Sequence, residues 1–217
     1  MVIYRQDGKT MSDYTTTTDV KDIMPESGLN TSTDYDAMIP LYITAASRLI
    51  DRYLAVPDNY FSPSTDGETR YYNGNNDYEL CIDDYVSIFA LAVSLEGGVN
   101  SSDYTSYDST DWYGEPYNAS ANGKPYNKIV IDVINSTKDP FPRYRKAVKV
   151  TGIFGYSLTI HPLVAQACKV QTLHFFMRAK SAYQNQSAGD NVVATNVAGG
   201  LSEDVKLLLM PLLIDRL

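Results

Sequence analysis

The stretch that most constrains the fold runs from 148 to 177, where a strand pattern passes directly into a helix pattern. Val148 and Val150 alternate with polar residues, which predicts a half-buried strand. Gly152 then indicates a bend or bulge, because a side chain is missing in mid-strand. Pro162 suits the first position of a helix, since its missing N–H costs nothing there. The stretch therefore predicts one strand and one long helix, which the rest of the chain must cover.

Apolar residues recur at helical spacing after the proline, along two adjacent lines of the helix surface. One line carries Leu163, Ala167, Val170, His174 and Met177, and the other carries Val164, Cys168, Gln171 and Phe175. A stripe this broad predicts a helix that lies in a core.

Charge and hydropathy exclude several classes of protein. The chain has 217 residues, with 18 Lys and Arg against 26 Asp and Glu, a net charge of −8. Such an acidic protein is a poor candidate for binding nucleic acid through its phosphates, because such binding needs a basic face. No apolar run approaches the ~20 residues of a membrane span, and the first ten residues lack the apolar core of a signal peptide. The 18 tyrosines favour a protein that spends much of its surface on contacts.

Two helices are predicted before the middle of the chain. Residues 18–24 form a short helix capped by Thr17 or Thr18 within a polar arm. A long helix covers 34–54, with Asp34 as its cap. Its apolar face carries Ile39, Ile43, Ala46, Ile50 and Tyr53, and its opposite side carries Arg48, Asp51 and Arg52.

Strands and loops are predicted from Tyr60 onward. The strand 69–72 pairs as a hairpin with 79–83 across the Asn-Gly turn at 73–76. Further strands are predicted at 86–93 and 129–131, and 104–124 is read as irregular.

The end of the chain is predicted to be a tethered apolar helix. Residues 181–200 are small and polar, which is typical of a flexible connection. Ser202 caps a last helix, and 207–214 is almost wholly apolar. Such a segment either folds back on its own core or docks on another chain.

No catalytic or phosphate-binding motif is present. His161, Cys168, His174 and Cys81 could in principle form a zinc site, and a cysteine with a histidine could form a catalytic pair. Core packing is the favoured interpretation of these residues. Both thiols are predicted to be buried. Asp83 and Asp84 are adjacent on a strand, so they are predicted to point to opposite faces.

An aromatic segment offers a different kind of site. Trp112, Tyr113 and Tyr117 are types of residue that stack on sugar rings. The alternative function is therefore a tyrosine- and tryptophan-rich carbohydrate-binding module of a virion, although aromatic residues that cover a loop are the plainer interpretation.

Four segments, taken in order, resemble the head-tail connector (adaptor) proteins of tailed bacteriophages, and the resemblance runs from about Val20 to Asp215. They are 43–51 (ITAASRLID), 80–88 (LCIDDYVSI), 150–156 with 162–167 (VTGIFGY and PLVAQA), and 201–211, which ends LLMP. The chain departs from the family after Pro211, where an aromatic and basic ending is common, and 104–124 is longer than usual.

The resemblance implies an α+β fold, a small helical bundle with a β-rich insertion between the first long helix and the C-terminal long helix. It divides the chain into an N-terminal arm with a short helix (1–33), an adaptor domain (34–185) and a linker with a C-terminal docking segment (186–217). The adaptor domain contains the helix 34–54, the insertion at about 60–157 and the helix 162–183.

The implied function is structural rather than enzymatic, with no cofactor or metal. The resemblance implies a ring of about a dozen copies in the virion neck at the portal vertex, assembled in the host cytoplasm. Its partners would be the portal protein, its own copies and a stopper or tail-terminator neck protein. DNA would pass through the channel without sequence-specific binding, and no membrane is involved. The predicted portal-docking residues are Leu207, Leu208, Leu212, Leu213 and Ile214.

Overall fold

The computed structural model describes residues 12–25, 36–97, 103–184 and 200–214, with side chains for all of these except 180–184 and 214. The chain divides into two compact units. The helical unit comprises residues 1–59 and 160–217, and the sheet unit comprises 60–159. The fold class is the predicted α+β arrangement, with strands inserted between the two long helices.

The helical unit has four helices within the described residues: α1 (Thr17–Ile23), α2 (Ile39–Tyr53), α3 (Pro162–Gln184) and α4 (Glu203–Ile214). Helix α3 is central, because it packs against each of the other three. It begins at Pro162, as predicted. The predicted cap of α1, Thr17 or Thr18, was one or two residues late. Thr16 is the cap, and it forms a reciprocal capping box with Asp19.

Helix α2 begins at Ile39, with Pro40 in its first turn, rather than at 34. The proposed cap Asp34 lies outside the described residues. Ile43 and Ile50 are buried as predicted. Asp51 was predicted to face away from the core and is instead only 1% exposed, so that assignment is wrong.

The buried side of α3 agrees in part with the predicted stripe. Val164, Ala167, Cys168 and Gln171 are buried as predicted, Thr172 and Phe176 are buried although the stripe did not include them, and Met177 is 49% exposed. The polar side chains of Gln171 and Thr172 are buried because both form hydrogen bonds within the helical unit. The Thr172 hydroxyl donates to the Cys168 carbonyl at 2.7 Å. The Gln171 amide donates to the Gly200 carbonyl at 3.1 Å and accepts from the Ser202 N–H at 3.0 Å.

The sheet unit contains six antiparallel strands: β1 (Glu68–Tyr72), β2 (Glu79–Val93), β3 (Thr105–Tyr107), β4 (Trp112–Glu115), β5 (Tyr126–Ile131) and β6 (Val148–Phe154). Their order is β1-β6-β2-β5-β4, and β3 also pairs with β2. Two of these strands, β3 and β4, lie in the region predicted to be irregular.

The predicted hairpin is wrong, because β1 pairs with β6 and not with β2. Arg70 lies opposite Val150, for example. The Asn-Gly segment does turn the chain, but its backbone bonds elsewhere: the Gly74 N–H donates to the Tyr144 carbonyl at 3.2 Å and the Asn76 N–H to the Phe141 carbonyl at 2.7 Å. These bonds lead the chain into β2 past β6 instead of folding it back on β1.

The two strands predicted at 79–83 and 86–93 are one strand, β2. Its first half pairs with β5, its last residues pair with β3, and β6 runs along the other edge. The register against β6 shifts twice, between Tyr85 and Ser87 and between Ile88 and Ala90. The irregularity that Gly152 predicted is therefore real, but the extra residues are in the partner strand.

The core of the sheet unit is formed by alternate residues of β2, β5 and β6 together with the loop before β6. Its buried members are Leu80, Tyr85, Leu91, Val93, Tyr107, Ile129, Ile131, Phe141, Ala147, Val148, Val150 and Phe154. The strand β6 supplies Val148 and Val150 to this core, as its alternating pattern predicted.

Candidate functional site

Helix α4, the predicted docking segment, has two different sides. Val205, Leu209 and Leu212 are at most 5% exposed, and their spacing places them on one side of the helix. Because α4 contacts α3, this side folds back on the helical unit. Leu207 is 67% exposed and Met210 is 53% exposed, so the opposite side is apolar and in water.

The structure therefore separates the five predicted docking residues. Leu207 is exposed, Leu208 and Leu213 are half-buried, and Leu212 is buried within the helical unit. The side chain of Ile214 lies outside the described residues. The sequence pattern identified Leu207 as a docking residue but did not identify Met210, which lies three residues later on the same side of the helix.

Pro211 lies inside α4 and is exposed. Without an N–H it cannot bond to the Leu207 carbonyl one turn earlier. The Leu207 carbonyl therefore lacks the hydrogen bond that an α-helix normally supplies from four residues later. We call Leu207, Met210 and Pro211 the outer face of α4.

A second exposed apolar surface lies on the turn after β5. Val133 is 59% exposed and Ile134 is 88% exposed. The turn is held by the Asp132 carboxylate, which accepts from the Ile134 N–H at 3.0 Å and from the Asn135 amide at 2.7 Å. These hydrogen bonds lower the pKa of Asp132. We call Val133 and Ile134 the sheet-unit tip. This surface was not predicted, although an aspartate that follows a strand is typical of a turn in which the side chain accepts from the backbone two residues later.

A buried polar network fastens the residues before α1 to α2. Tyr14 is fully buried, and its hydroxyl donates to Asp51. Its N–H donates to the Ser47 hydroxyl at 3.0 Å. Ser47 and Asp51 are one turn apart on α2, and both belong to the first segment of the adaptor resemblance. Nothing in the local pattern around Tyr14 predicted this contact.

Arg48 completes the network. Its guanidinium lies 3.2 Å from the Asp51 carboxylate, donates to Asn59 at 2.6 Å and donates to the Ser12 carbonyl at 2.9 Å. Burial raises the pKa of Asp51 to about 6, against the opposing effects of the Tyr14 hydrogen bond and the Arg48 charge. Burial likewise raises the pKa of Asp13.

The raised pKa of Asp51 predicts a pH-dependent stability. The folded state holds the Asp51 proton up to about pH 6, whereas the unfolded chain loses it near 3.8. Ionisation therefore opposes folding, and the free energy of unfolding due to this group rises as pH falls through 6 toward 4, by up to about 3 kcal/mol. Asp51→Asn removes this dependence, so variant and wild type should diverge with pH in urea denaturation.

Asp22→Asn, on the exposed side of α1, is the matched control, because it removes a carboxylate without altering the buried network. Parallel wild-type and Asp51→Asn curves between acidic and neutral pH would contradict the prediction, because Asp51 would then titrate alike in both states.

The paired aspartates of β2 have different partners, as their predicted opposite directions require. The Asp83 carboxylate accepts from Arg70 at 2.8 Å and from the Tyr72 hydroxyl at 2.9 Å. Asp84 accepts from the Tyr60 hydroxyl. Both carboxylates are thus engaged in tying β2 to neighbouring segments of the sheet unit.

The aromatic residues of the carbohydrate alternative do not form one platform. Trp112 is half-buried and packs against the core of the sheet unit, with its indole N–H buried. Tyr113 and Tyr117 are 37% and 77% exposed and meet edge-on at 6.2 Å. Only these two rings are open to a ligand.

The residues of the zinc and Cys–His hypotheses have structural surroundings. Cys168 is buried, which raises its thiol pKa to about 11. Its sulfur lies 3.4 Å from the Ser47 hydroxyl. Cys81 is exposed, so the prediction that it is buried is wrong. The His161 ring accepts from the Leu163 N–H at 3.3 Å, and His174 is half-buried. The described residues contain no group of three or more His, Cys, Asp or Glu side chains placed to hold a metal ion.

The described helices include none with both the length and the apolarity needed to cross a membrane.

No family model and no curated protein matches the sequence. Solved structures that are similar to it include the following two. One, described as the neck of an empty gene transfer agent (GTA) particle computed with C6 symmetry, has 14% sequence identity and a TM-score of 0.48, and the match covers 88% of this chain and 86% of that chain. The other, from the virion of a native gene transfer agent particle, has 16% identity and a TM-score of 0.46, with 89% and 86% covered. At these values neither similarity assigns a function to this chain.

Proposed function

We propose that this chain is a structural head-tail connector (adaptor) in the neck of a tailed phage or phage-like particle. In this role it forms a ring, docks on the portal, extends the DNA channel and receives the next neck protein. Four ordered sequence segments support the proposal, as does the α+β arrangement, which is the one that the resemblance implies. The work of such a protein is the burial of surface between subunits.

The observation that carries the proposal is the outer face of α4. Val205 and Leu209 hold the helix on α3, so Leu207 and Met210 are presented at a defined position. An apolar face kept in water on an anchored helix favours a binding surface, because exposing it otherwise costs free energy. The docking proposal therefore narrows to Leu207 and Met210, flanked by Leu208 and Leu213, while Leu212 acts as part of the anchor.

This face is too small to form the whole interface. Helix α4 has 12 residues and is about 18 Å long, so one side offers only about 200 Å². Stable interfaces bury more than about 1,000 Å², and ring contacts between copies must also close. In the proposed ring the outer face of α4 is the portal contact, and other surfaces, including the sheet-unit tip, supply contacts between copies or to the distal neck protein.

The proposal is tested by docking with the outer face altered. Leu207→Asp combined with Met210→Asp is expected to weaken binding to the cognate portal ring by about 30-fold or more, since a central apolar contact contributes about 2 kcal/mol or more. A pull-down, followed by a titration monitored by analytical ultracentrifugation, measures the change in affinity for the portal ring. Both residues are exposed, so the melting temperature should stay within a few degrees.

Leu95→Asp is the matched control, because Leu95 is 57% exposed in the sheet unit and lies outside α4. Truncation after Ser202 should also abolish docking, but it removes the anchor residues as well. Undiminished portal binding by the folded double variant would refute the assignment of the outer face. Absence of any portal binding by the wild type would refute the connector proposal.

A further inference from the structure

One segment of this acidic chain carries a dense positive charge. Arg143, Arg145, Lys146 and Lys149 lie within a single short run that leads into β6. The first three are exposed and Lys149 is half-buried. We call these four residues the basic segment.

The cations of the basic segment are not neutralised by neighbours. Elsewhere in the described chain, cations commonly pair with carboxylates, as do Lys21, Arg48, Arg70, Lys128, Lys138, Lys169 and Lys206. None of the four cations of the basic segment forms an ion pair with another described residue. Their charge is therefore available to a ligand.

Tyrosine rings hold two of these cations in place. Tyr71 lies opposite Lys149 in the β1–β6 register, and its ring centre is 6.1 Å from that of Tyr104. The Lys146 ammonium lies 5.9 Å from the Tyr71 ring and the Lys149 ammonium lies 5.7 Å from the Tyr104 ring. The result is a row in which the two neighbouring rings each carry one ammonium group.

The backbone of the segment is equally well held. The Lys146 N–H donates to the Asn73 side chain at 3.0 Å, and its carbonyl accepts from the Tyr104 hydroxyl at 2.6 Å. The Ala147 carbonyl accepts from the Ser94 N–H at 2.8 Å. A segment fixed in this way loses little conformational entropy when a ligand binds.

We propose that the basic segment is a binding site for the phosphate backbone of double-helical nucleic acid, used without sequence specificity. Uncompensated Arg and Lys contacts to phosphate dominate such binding. A second copy of this acidic chain is the competing occupant, and the test below distinguishes it from nucleic acid. The net charge of −8 does not forbid the site, because charges farther away than about 10 Å are largely screened at about 0.1 M salt.

The connector proposal requires DNA to pass through the channel but does not require the protein to bind it, so this site goes beyond that proposal. It would also exist if the chain had another role, since it depends only on residues of the sheet unit.

The probe for the test is a fluorescent duplex of random sequence, with binding followed by anisotropy. Four phosphate contacts predict that the affinity falls by about 100-fold between about 50 and 200 mM salt. Arg143→Gln combined with Arg145→Gln removes two exposed cations without touching the tyrosine row. This variant is expected to weaken duplex binding at low salt by about 10-fold or more. It should also reduce the steepness of the plot of log binding constant against log salt concentration by about 2.

Arg52→Gln combined with Lys206→Gln changes the net charge equally within the helical unit and should leave duplex binding within about 2-fold of the wild type. Three results would overturn the proposal: no duplex binding by the wild type at low salt, equal losses in the two double variants, or a loss of self-association by Arg143→Gln/Arg145→Gln with duplex binding intact. The last result would assign the segment to a second copy. Portal binding by the same variant, measured in parallel, separates a failure of this site from a failure of the connector proposal.

Discussion

Replacement of Gly152 by alanine is expected to destabilise the sheet unit by about 3 kcal/mol. Gly152 lies in β6 opposite Ile88, beside the second register shift of β2. A Cβ at this position would lie 2.3 Å from the Ser87 carbonyl oxygen and 2.9 Å from the Ile88 Cα. Both are backbone atoms of β2 at a point where it pairs with β6, so neither can move away without disturbing that pairing. Urea denaturation monitored by tyrosine fluorescence and circular dichroism measures the loss.

Gly123→Ala is the matched control. No atom lies within 4 Å of the added Cβ, and the residue has a φ of +65°, so only the backbone conformation is penalised, by about 1 kcal/mol. If the two substitutions cost the same, the close approach of β2 to Gly152 is not a constraint on this sheet.

Replacement of Leu209 by alanine is expected to cost the helical unit about 3 kcal/mol. Leu209 is fully buried on the side of α4 that faces the unit, and its removal leaves a cavity flanked by Val205 and Leu212. The anchor of α4 should weaken most, because the helix follows a segment of small polar residues. Hydrogen exchange of the amides in α4, together with urea denaturation, measures the effect.

Leu207→Ala is the matched control for the same residue type in the same helix. Because Leu207 is 67% exposed, its truncation should change stability by less than about 0.5 kcal/mol. Equal costs at the two positions would show that α4 is not anchored by the side that contains Leu209, and the outer face would then lose its defined position.

Local signals predicted the elements whose cause is local. Pro162 marks the start of α3 because its ring suits the first turn of a helix, and the alternation at Val148 and Val150 predicts β6 because side chains of a strand point to alternate faces. The α+β class follows from such signals added along the chain. The short helix α1 was also predicted, with an error of one or two residues in its cap.

Pairing and burial were predicted less well, since they depend on residues far apart in sequence. The segment 69–72 reads as a strand whichever neighbour it has, and only the packed sheet makes that neighbour β6 rather than β2. The local pattern predicts that Asp51 faces solvent on α2. In the structure it is buried and accepts a hydrogen bond from Tyr14, which lies 37 positions earlier. Thr172 was outside the predicted apolar stripe and is buried for a similar reason, because a hydrogen bond within the fold replaces one to water.

The candidate site divides in the same way. The apolar run at 207–214 was evident from the sequence, and so was the choice between folding back and docking. In the described residues Leu209 and Leu212 fold back on the helical unit, while docking by the exposed Leu207 and Met210 stays a prediction. The sheet-unit tip at Val133 and Ile134 was missed, because exposure of an apolar side chain is not visible in a pattern of residue types.

By itself, the sequence determined the types of the main elements, their order and the acidic charge of the chain, because periodicity, caps and composition act over a few residues. Only the tertiary structure decided which strands pair, which polar side chains are buried and which side of α4 faces inward. These depend on the free energy of contacts between segments that no local pattern contains.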